Sequence, residues 1–265
     1  MDILFSIIIP TLNEEKYIGR TLQSIVSQKH QGQKQIIISD NGSTDKTIDI
    51  AKEFGAYIVT GAKPNNIGST RKLACFTAKK LAKNSGHFEE IIIATDADTT
   101  LSAGYIETIY GLYSQNPLIA ASSGPFKTII NEKVLKFGNY FHKFNFFLGA
   151  LDLQLWWLLK KINNNALLYG FNTVIRRSAY EKIGGFDELA GGSDMDLTLK
   201  VISSGNQVYY EENQLVTTSS RKFIDGNGHF SFRKAYKYAF QRESIKHARI
   251  VLKKRFRQVF IYQNT

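Results

Sequence analysis

One cysteine, Cys75, excludes an internal disulfide. The N-terminus lacks the basic, apolar and small-residue succession of a secretory signal, so a reducing, cytoplasmic location is expected. No Gly-x-Gly-x-x-Gly follows the first apolar run and no P-loop is present, which removes dinucleotide and Walker-type binding. Zinc-finger spacings, RNA-binding signatures, internal repeats and low-complexity segments are also missing. Acidic residues are scarce near the C-terminus. Residues 219–265 hold twelve Lys and Arg against Asp225 and Glu243, a net +10 of the chain's +11. Such a tail suits nucleic acid, anionic lipid or an acidic substrate, and charge alone does not choose.

What is present is a chain of 265 residues, 43% hydrophobic, long enough to bury a sizeable core. Apolar runs alternate with amphipathic stretches. Strands are expected at residues 5–10, 35–39, 56–60 and 90–95, and helices at 15–28, 45–54, 69–83 and 103–114. This alternation, with runs such as Ile7-Ile8-Ile9 and Ile91-Ile92-Ile93, predicts an α/β fold with a mostly parallel sheet covered on both faces. Further on, residues 167–176 read as a strand, 195–204 as a helix and 207–210 as the last strand.

Between these blocks, Val134, Phe137, Phe141, Phe144, Leu148, Leu151, Leu155, Leu158 and Ile162 recur at helical spacing. An aromatic amphipathic helical insertion over 133–165 is expected, either buried or lying at a membrane interface through Trp156, Trp157, Lys160 and Lys161. Asn145, Asp152 and Gln154 make it too polar for a membrane span. The basic tail carries its own stripe (Tyr238, Ile245, Ala248, Leu252, Phe256, Val259) and is expected to be helical. The expected organisation is a nucleotide-binding domain over 1–218 and the tail over 219–265.

In open α/β sheets, ligands bind beyond the carboxyl ends of the strands. Three polar clusters fall there: Pro10-Thr11-Leu12-Asn13-Glu14, Asp40-Asn41-Gly42-Ser43-Thr44-Asp45 and Asp96-Ala97-Asp98. Two carboxylates emerging from one strand end suit Mg²⁺ or Mn²⁺ and a diphosphate, since these hard cations take oxygen ligands. Asp40 stands where it either accepts from a base or ribose or stabilises its own turn, and Ser43 or Thr44 is expected to cap the next helix.

These motifs, together with Gly184-Gly-Phe-Asp-Glu and Ser193-Asp194, resemble family 2 glycosyltransferases in order and spacing over about residues 5–212. The resemblance implies a GT-A type nucleotide-sugar fold, a metal-bound donor and inversion at the anomeric carbon. It implies that Pro10, Thr11, Asn13 and Glu14 surround the nucleotide and Asp40 meets its base. Asp96, Ala97 and Asp98 would serve ribose, diphosphate and metal, with Asp96 and Asp98 as the metal acids. Asp194 would be the general base, with Asp196 ranked second. Arg71 and, less so, Lys72 would reach the diphosphate, and Gly170-Phe171-Asn172 would touch acceptor or donor sugar.

The chain departs from the family pattern at Asn41, often an acid, and at Ser193, often Glu. It also lacks the Gln-x-x-Arg-Trp motif of polysaccharide synthases after Asp194, so single-sugar transfer is expected. Ser219-Ser220-Arg221-Lys222 is expected to close over phosphate, His229 is a weak metal-ligand candidate, and Cys75 belongs to the core. The implied partners are a nucleoside-diphosphate sugar, a glycan or lipid-linked acceptor and an anionic membrane surface, with the protein peripheral at its inner face. The rival readings are a nucleic-acid-binding module acting through the tail and a non-catalytic nucleotide-sugar-binding protein. Acidic strand ends would repel a polyanion, so no nucleic-acid partner is expected.

Overall fold

The computed structural model describes residues 2–29, 32–83, 89–130, 133–135, 166–221 and 231. Four parallel strands form its heart: β1 (Ile3–Thr11), β2 (Gln33–Asp40), β3 (Tyr57–Val59) and β4 (Glu89–Ala94). Helices α1 (Ile18–Val26), α2 (Thr47–Glu53) and α3 (Ile67–Ala82) link them. Period-two alternation divides the apolar side chains between the faces. Ile3, Phe5, Ile7 and Ile9 of β1 pack with α1, α2 and α4 (Tyr105–Gln115), while Ile8, Ile37 and Ile92 pack with α3 on the opposite face. Each fully buried isoleucine contributes about 1.5–3 kcal/mol of transfer free energy.

The full sheet has seven strands in the order β10-β6-β9-β4-β1-β2-β3, where β6 is Ala121–Ser123, β9 Thr173–Arg176 and β10 Val208–Tyr210. Among the described strands of this sheet only β9 runs antiparallel to its neighbours, wedged between β4 and β6. The chain moves outward from β1 through β2 to β3, then returns to place β4 on the other side of β1. That reversal makes the β1/β4 junction the switch point, where a crevice opens at the carboxyl edge. Pro10 stands just past the last β1–β4 pairing, Ile8 with Ala94, where a missing N–H removes no bond to β4.

A second sheet, unexpected from the sequence, has the order β5-β11-β7-β8, with β5 Thr99–Leu101, β7 Phe126–Ile130, β8 Lys133–Leu135 and β11 Val216–Ser219. It changes three expectations. Residues 133–135 are a strand, so a helical insertion does not start at 133. Among the described residues the last strand is β11 rather than 207–210, and it ends at Ser219, past residue 218. The expected strand at 167–176 shortens to β9, because Tyr169–Asn172 closes a tight turn before it. Helix α5 (Arg177–Lys182) follows β9 directly, and α6 (Ser193–Ser203) packs Leu197 and Val201 beside α3. The rest of the expected aromatic insertion, most of the basic tail and His229 lie outside the described residues. Among the described residues no helix is long and apolar enough to cross a membrane.

Candidate active site

The loop after β1 is laced to the loop after β2. Asn13 adopts a left-handed backbone, φ 55°, and its N–H donates to Ser43 Oγ at 2.8 Å while its Oδ1 accepts from Thr44 N–H at 2.8 Å. Asparagine tolerates this conformation better than most side chains. Glu14 N–H donates to Thr47 Oγ1 at 2.7 Å. The N-cap of α2 is Lys46, without a side-chain cap bond, and not Ser43 or Thr44 as the sequence suggested; Asp45, just before it, accepts from Thr47 N–H through Oδ1 at 3.0 Å. Ser43 is instead committed to Asn13 and Asp40.

Asp40 is 2% exposed. Its Oδ1 accepts from Thr11 Oγ1 at 2.8 Å and Ser43 Oγ at 2.6 Å, and its Oδ2 from Gly42 N–H at 3.0 Å and Ser43 N–H at 2.8 Å. A carboxylate has about four lone-pair sites, and here all are taken. In this conformation Asp40 shapes the loop wall, and receiving a base requires it to exchange one of these bonds.

Asp96 and Asp98 leave β4 on the other side of the crevice. Ala97 between them turns inward: its side chain is buried in the core and its carbonyl accepts from Thr21 Oγ1 at 2.8 Å. That anchor directs the two flanking acids away from the core. Asp96 Oδ1 accepts from Arg71 Nη2 at 2.9 Å. Asp98 Oδ2 lies 3.3 Å from Arg221 Nη2, and the same guanidinium donates to Glu14 Oε1.

Arg71 sits at the centre. It is 5% exposed, one turn into α3, and Asn66 caps that helix by accepting from Ser69 N–H at 2.8 Å. Gly68 lets the first turn approach the chain at 187–189 closely, since a Cβ there would stand 2.1 Å from Asp187 O. Arg71 Nη1 donates to Ser193 Oγ at 3.0 Å, and its Nε has no hydrogen-bond partner. Gly170 faces the same guanidinium, with a virtual Cβ only 2.0 Å from Nη2. Gly170 N–H in turn donates to Asp194 Oδ2 at 2.9 Å. One buried cation thus joins the acids after β4 to the start of α6, where Asp194 stands half-buried and accepts also from Met195 N–H at 3.0 Å.

Asp194 lies inside the first turn of α6, behind the N-cap Gly192, φ 71°. Asp196, ranked second as a base, is fully buried and faces Lys200 at 3.3 Å, inside the fold. Lys72 points to the surface and pairs with Glu188 at 3.2 Å, so it does not reach the crevice. The pair Lys63 and Lys72 holds the Glu188 carboxyl below the usual carboxylate range.

Asn172 is likewise removed from ligand contact. It is fully buried, accepts from Tyr105 Oη at 2.8 Å and donates to Gln214 O at 2.9 Å. Its neighbour Phe171 stacks on Tyr169, centroids 5.5 Å apart, with Phe126 edge-on to both. Asn41 reaches Thr70 Oγ1 only at 3.4 Å. Sequence reasoning missed Tyr17 and the partners of Ser193 and Arg221, because no spacing rule joins residues separated by one to two hundred positions.

The donor set fits a hard divalent cation, because two carboxylates already converge on a positive group and Glu14 Oε2 is buried without a partner. Among the described residues no three His, Cys, Asp or Glu side chains converge into a complete metal site. Phosphate oxygens and water would have to finish the coordination shell, which is how Mg²⁺ is usually held beside phosphates.

The acids after β4, the buried arginine of α3 and the carboxylate in the first turn of α6 are thus joined at the switch-point edge, where open α/β sheets bind ligands. The model of the family described as Glycosyl transferase family 2 matches residues 6–184, and the chain belongs to that family. The Bacillus subtilis protein "Probable glycosyltransferase YdaM" is 29% identical over 222 residues, covering 77% of this chain and 48% of that protein. The chain therefore spans about half the length of that relative. A Methanococcus voltae dolichyl N-acetyl-alpha-D-glucosaminyl phosphate glucuronosyltransferase is 25% identical over 233 residues, 83% of this chain and 69% of that one. Among solved structures, S. aureus TarS 1–349 with UDP-GlcNAc superposes with a TM-score of 0.59 at 14% identity, covering 90% of this chain and 64% of that one. Glucosyl-3-phosphoglycerate synthase of Mycobacterium tuberculosis with Mn²⁺, UDP and glucosyl-3-phosphoglycerate gives 0.54 at 17% identity, covering 82% and 70%. These superpositions establish the GT-A glycosyltransferase fold.

Proposed function

We propose that the chain is an inverting, metal-dependent glycosyltransferase that moves one sugar from a nucleoside-diphosphate donor to a hydroxyl or phosphate acceptor. The observation that carries this reading is Arg71, which connects Asp96 to the Gly170–Ser193–Asp194 corner across the switch-point crevice. A diphosphate lying over that guanidinium puts its departing bond toward Asp194. Arg71 Nε, buried and without a partner, is a donor left over for such an anion. Asp98 and Asp96 would hold Mg²⁺ or Mn²⁺, which neutralises charge on the leaving diphosphate.

For a hydroxyl acceptor, an Asp194 carboxylate oxygen takes the proton as the hydroxyl oxygen bonds to the anomeric carbon. The electron pair of the breaking carbon–oxygen bond leaves with the diphosphate. Gly170 N–H and Met195 N–H hold that carboxylate in place throughout. Attack from the face opposite the leaving group inverts the anomeric carbon.

The +10 charge over residues 219–265 favours an acceptor at an anionic membrane surface on the cytoplasmic side, where the protein would be peripheral. A lipid-linked acceptor also agrees with the Methanococcus relative, named as a transferase acting on a dolichyl-linked phosphate sugar. Transfer of a single sugar is the reading we favour, since no Gln-x-x-Arg-Trp stands after Asp194 in these 265 residues. Calorimetric titration with UDP, GDP and dTDP, with and without Mn²⁺, tests the donor site. Metal-dependent binding that Asp98→Ala abolishes supports the reading and names the base. Absence of binding to any of the three under every metal condition sinks it.

A further inference from the structure

The tail beyond the last strand reaches the site through one described side chain, and its position is fixed by strand register. Strand β5 starts at Thr99, immediately after Asp98, and β11 pairs antiparallel with it, Thr218 opposite Thr99. Thr99 Oγ1 donates to Thr218 Oγ1 at 2.8 Å, which pins that register. Residues 219–221 therefore run back alongside Asp98, Ala97 and Asp96. Arg221 is delivered to the acid pair by the pairing itself.

There its guanidinium does three things. It lies 3.3 Å from Asp98 Oδ2, donates to Glu14 Oε1 and stacks over the Tyr17 ring at 4.3 Å. The side chain keeps 29% of its surface exposed, while Asp98 keeps 8% and Glu14 15%. The two acids are thus withdrawn from water by the cation that neutralises them, and the cation remains reachable. Burial works against its charge, and the carboxylates of Glu14 and Asp98 more than compensate, raising the guanidinium's affinity for its proton.

We infer that Arg221 is the resident counter-cation of the donor site: it occupies Glu14 and Asp98 in the free chain, and exchanges them for the donor's diphosphate when Asp98 takes a divalent cation. The inference rests on the donor reading above and adds a coupling to it. Two cations cannot share the same carboxylate face without repulsion, so Arg221 and a divalent ion compete while no diphosphate is present. Once a diphosphate adds its own negative charges, Arg221 has an anionic partner within reach and competition turns into cooperation. Tyr17 is the pivot, because stacking on its ring satisfies the guanidinium face whichever anion its edge meets.

A merely structural ion pair would lose stability on mutation and move both affinities alike. The exchange predicts opposed shifts. In the full chain, Mn²⁺ binding without nucleotide is followed by electron paramagnetic resonance of the free ion for wild type, Arg221→Gln and Arg221→Lys. Removing the competing charge in Arg221→Gln is expected to tighten Mn²⁺ binding by about threefold to tenfold, the size of a partly exposed ion pair. UDP titrated at saturating Mn²⁺ is expected to bind about tenfold more weakly to Arg221→Gln, with Arg221→Lys intermediate in both measurements. Melting temperature reports whether each variant is folded; should Arg221→Gln fail to fold, Arg221→Lys carries the test, with smaller shifts of the same opposed signs.

Unchanged affinities, or both affinities falling together in a folded variant, overturn the inference while the donor reading stands. A wild-type chain that binds neither Mn²⁺ nor UDP takes both down.

Discussion

Asp194 is anchored by two backbone N–H groups, so replacing it with Asn keeps the size and one acceptor oxygen while removing the basicity. Asp194→Asn is expected to lower turnover, read as UDP release with acceptor present, by about 10²–10⁴-fold while UDP affinity by calorimetry is retained. Asp40 behaves differently, because its carboxylate is structural as well as facing the nucleotide loop. Asp40→Asn places an amide N–H₂ against donors and should cost about 1–3 kcal/mol in denaturant unfolding in addition to weakening UDP binding. A variant with full stability and weak binding would show that the turn bonds contribute little.

Burial pushes the Cys75 thiol up to about 11. The folded thiol therefore stays neutral at pH 8, where an unfolded cysteine is substantially thiolate, and alkylation should follow the unfolding curve rather than precede it. At this scale the sequence announced the acids, because carboxylates after apolar runs stand out. It concealed the partners that set what each acid does: Thr11 on Asp40 and Thr21 on the Ala97 carbonyl come from distant segments, while the Gly42 and Ser43 bonds to Asp40 and the Lys200 pairing of Asp196 are local but depend on side-chain direction.

At the level of elements, two glycines separate fold from function. At Gly170 the atoms nearest an added methyl are those of the Arg71 guanidinium rather than backbone, so Gly170→Ala should keep melting within a few degrees of wild type while displacing the guanidinium and weakening UDP binding about tenfold or more. At Gly68 the methyl meets the backbone at 187–189, and Gly68→Ala should destabilise the chain by about 1–3 kcal/mol, measured by urea unfolding. If the two variants exchange these phenotypes, the packing of α3 has been misread. The parallel strands and α1, α3 and α4 were legible because their apolar periodicity is strong over many residues. The short strands β5, β6, β7 and β11 were not, since three to five residues carry too little pattern and owe their existence to partners about fifty to 120 positions away. Helix α5 was hidden for a similar reason, with its six residues held by Tyr180 packing rather than by propensity.

On the scale of the whole molecule, charge is segregated: the net charge of residues 1–218 is near +1 and the remainder carries +10. Full-length protein should co-sediment with vesicles containing phosphatidylserine at low ionic strength and release from them as salt is raised, whereas neutral phosphatidylcholine vesicles should leave it in the supernatant. Equal binding to both vesicle types would remove the electrostatic account of membrane attachment.

The antiparallel wedge β9 also dictates an order of events during synthesis. Its residues pair with β4 at a separation of about eighty positions, Ile91 with Arg176 and Ala94 with Thr173, so the sheet cannot close until the ribosome has released most of the chain. Until then the nascent chain presents the Ile91-Ile92-Ile93 strand with one bare hydrogen-bonding edge, a template for pairing with other chains. Truncations that end before residue 173 should accordingly be prone to aggregate, and holding the emerging chain apart from its neighbours becomes a task for chaperones during that interval.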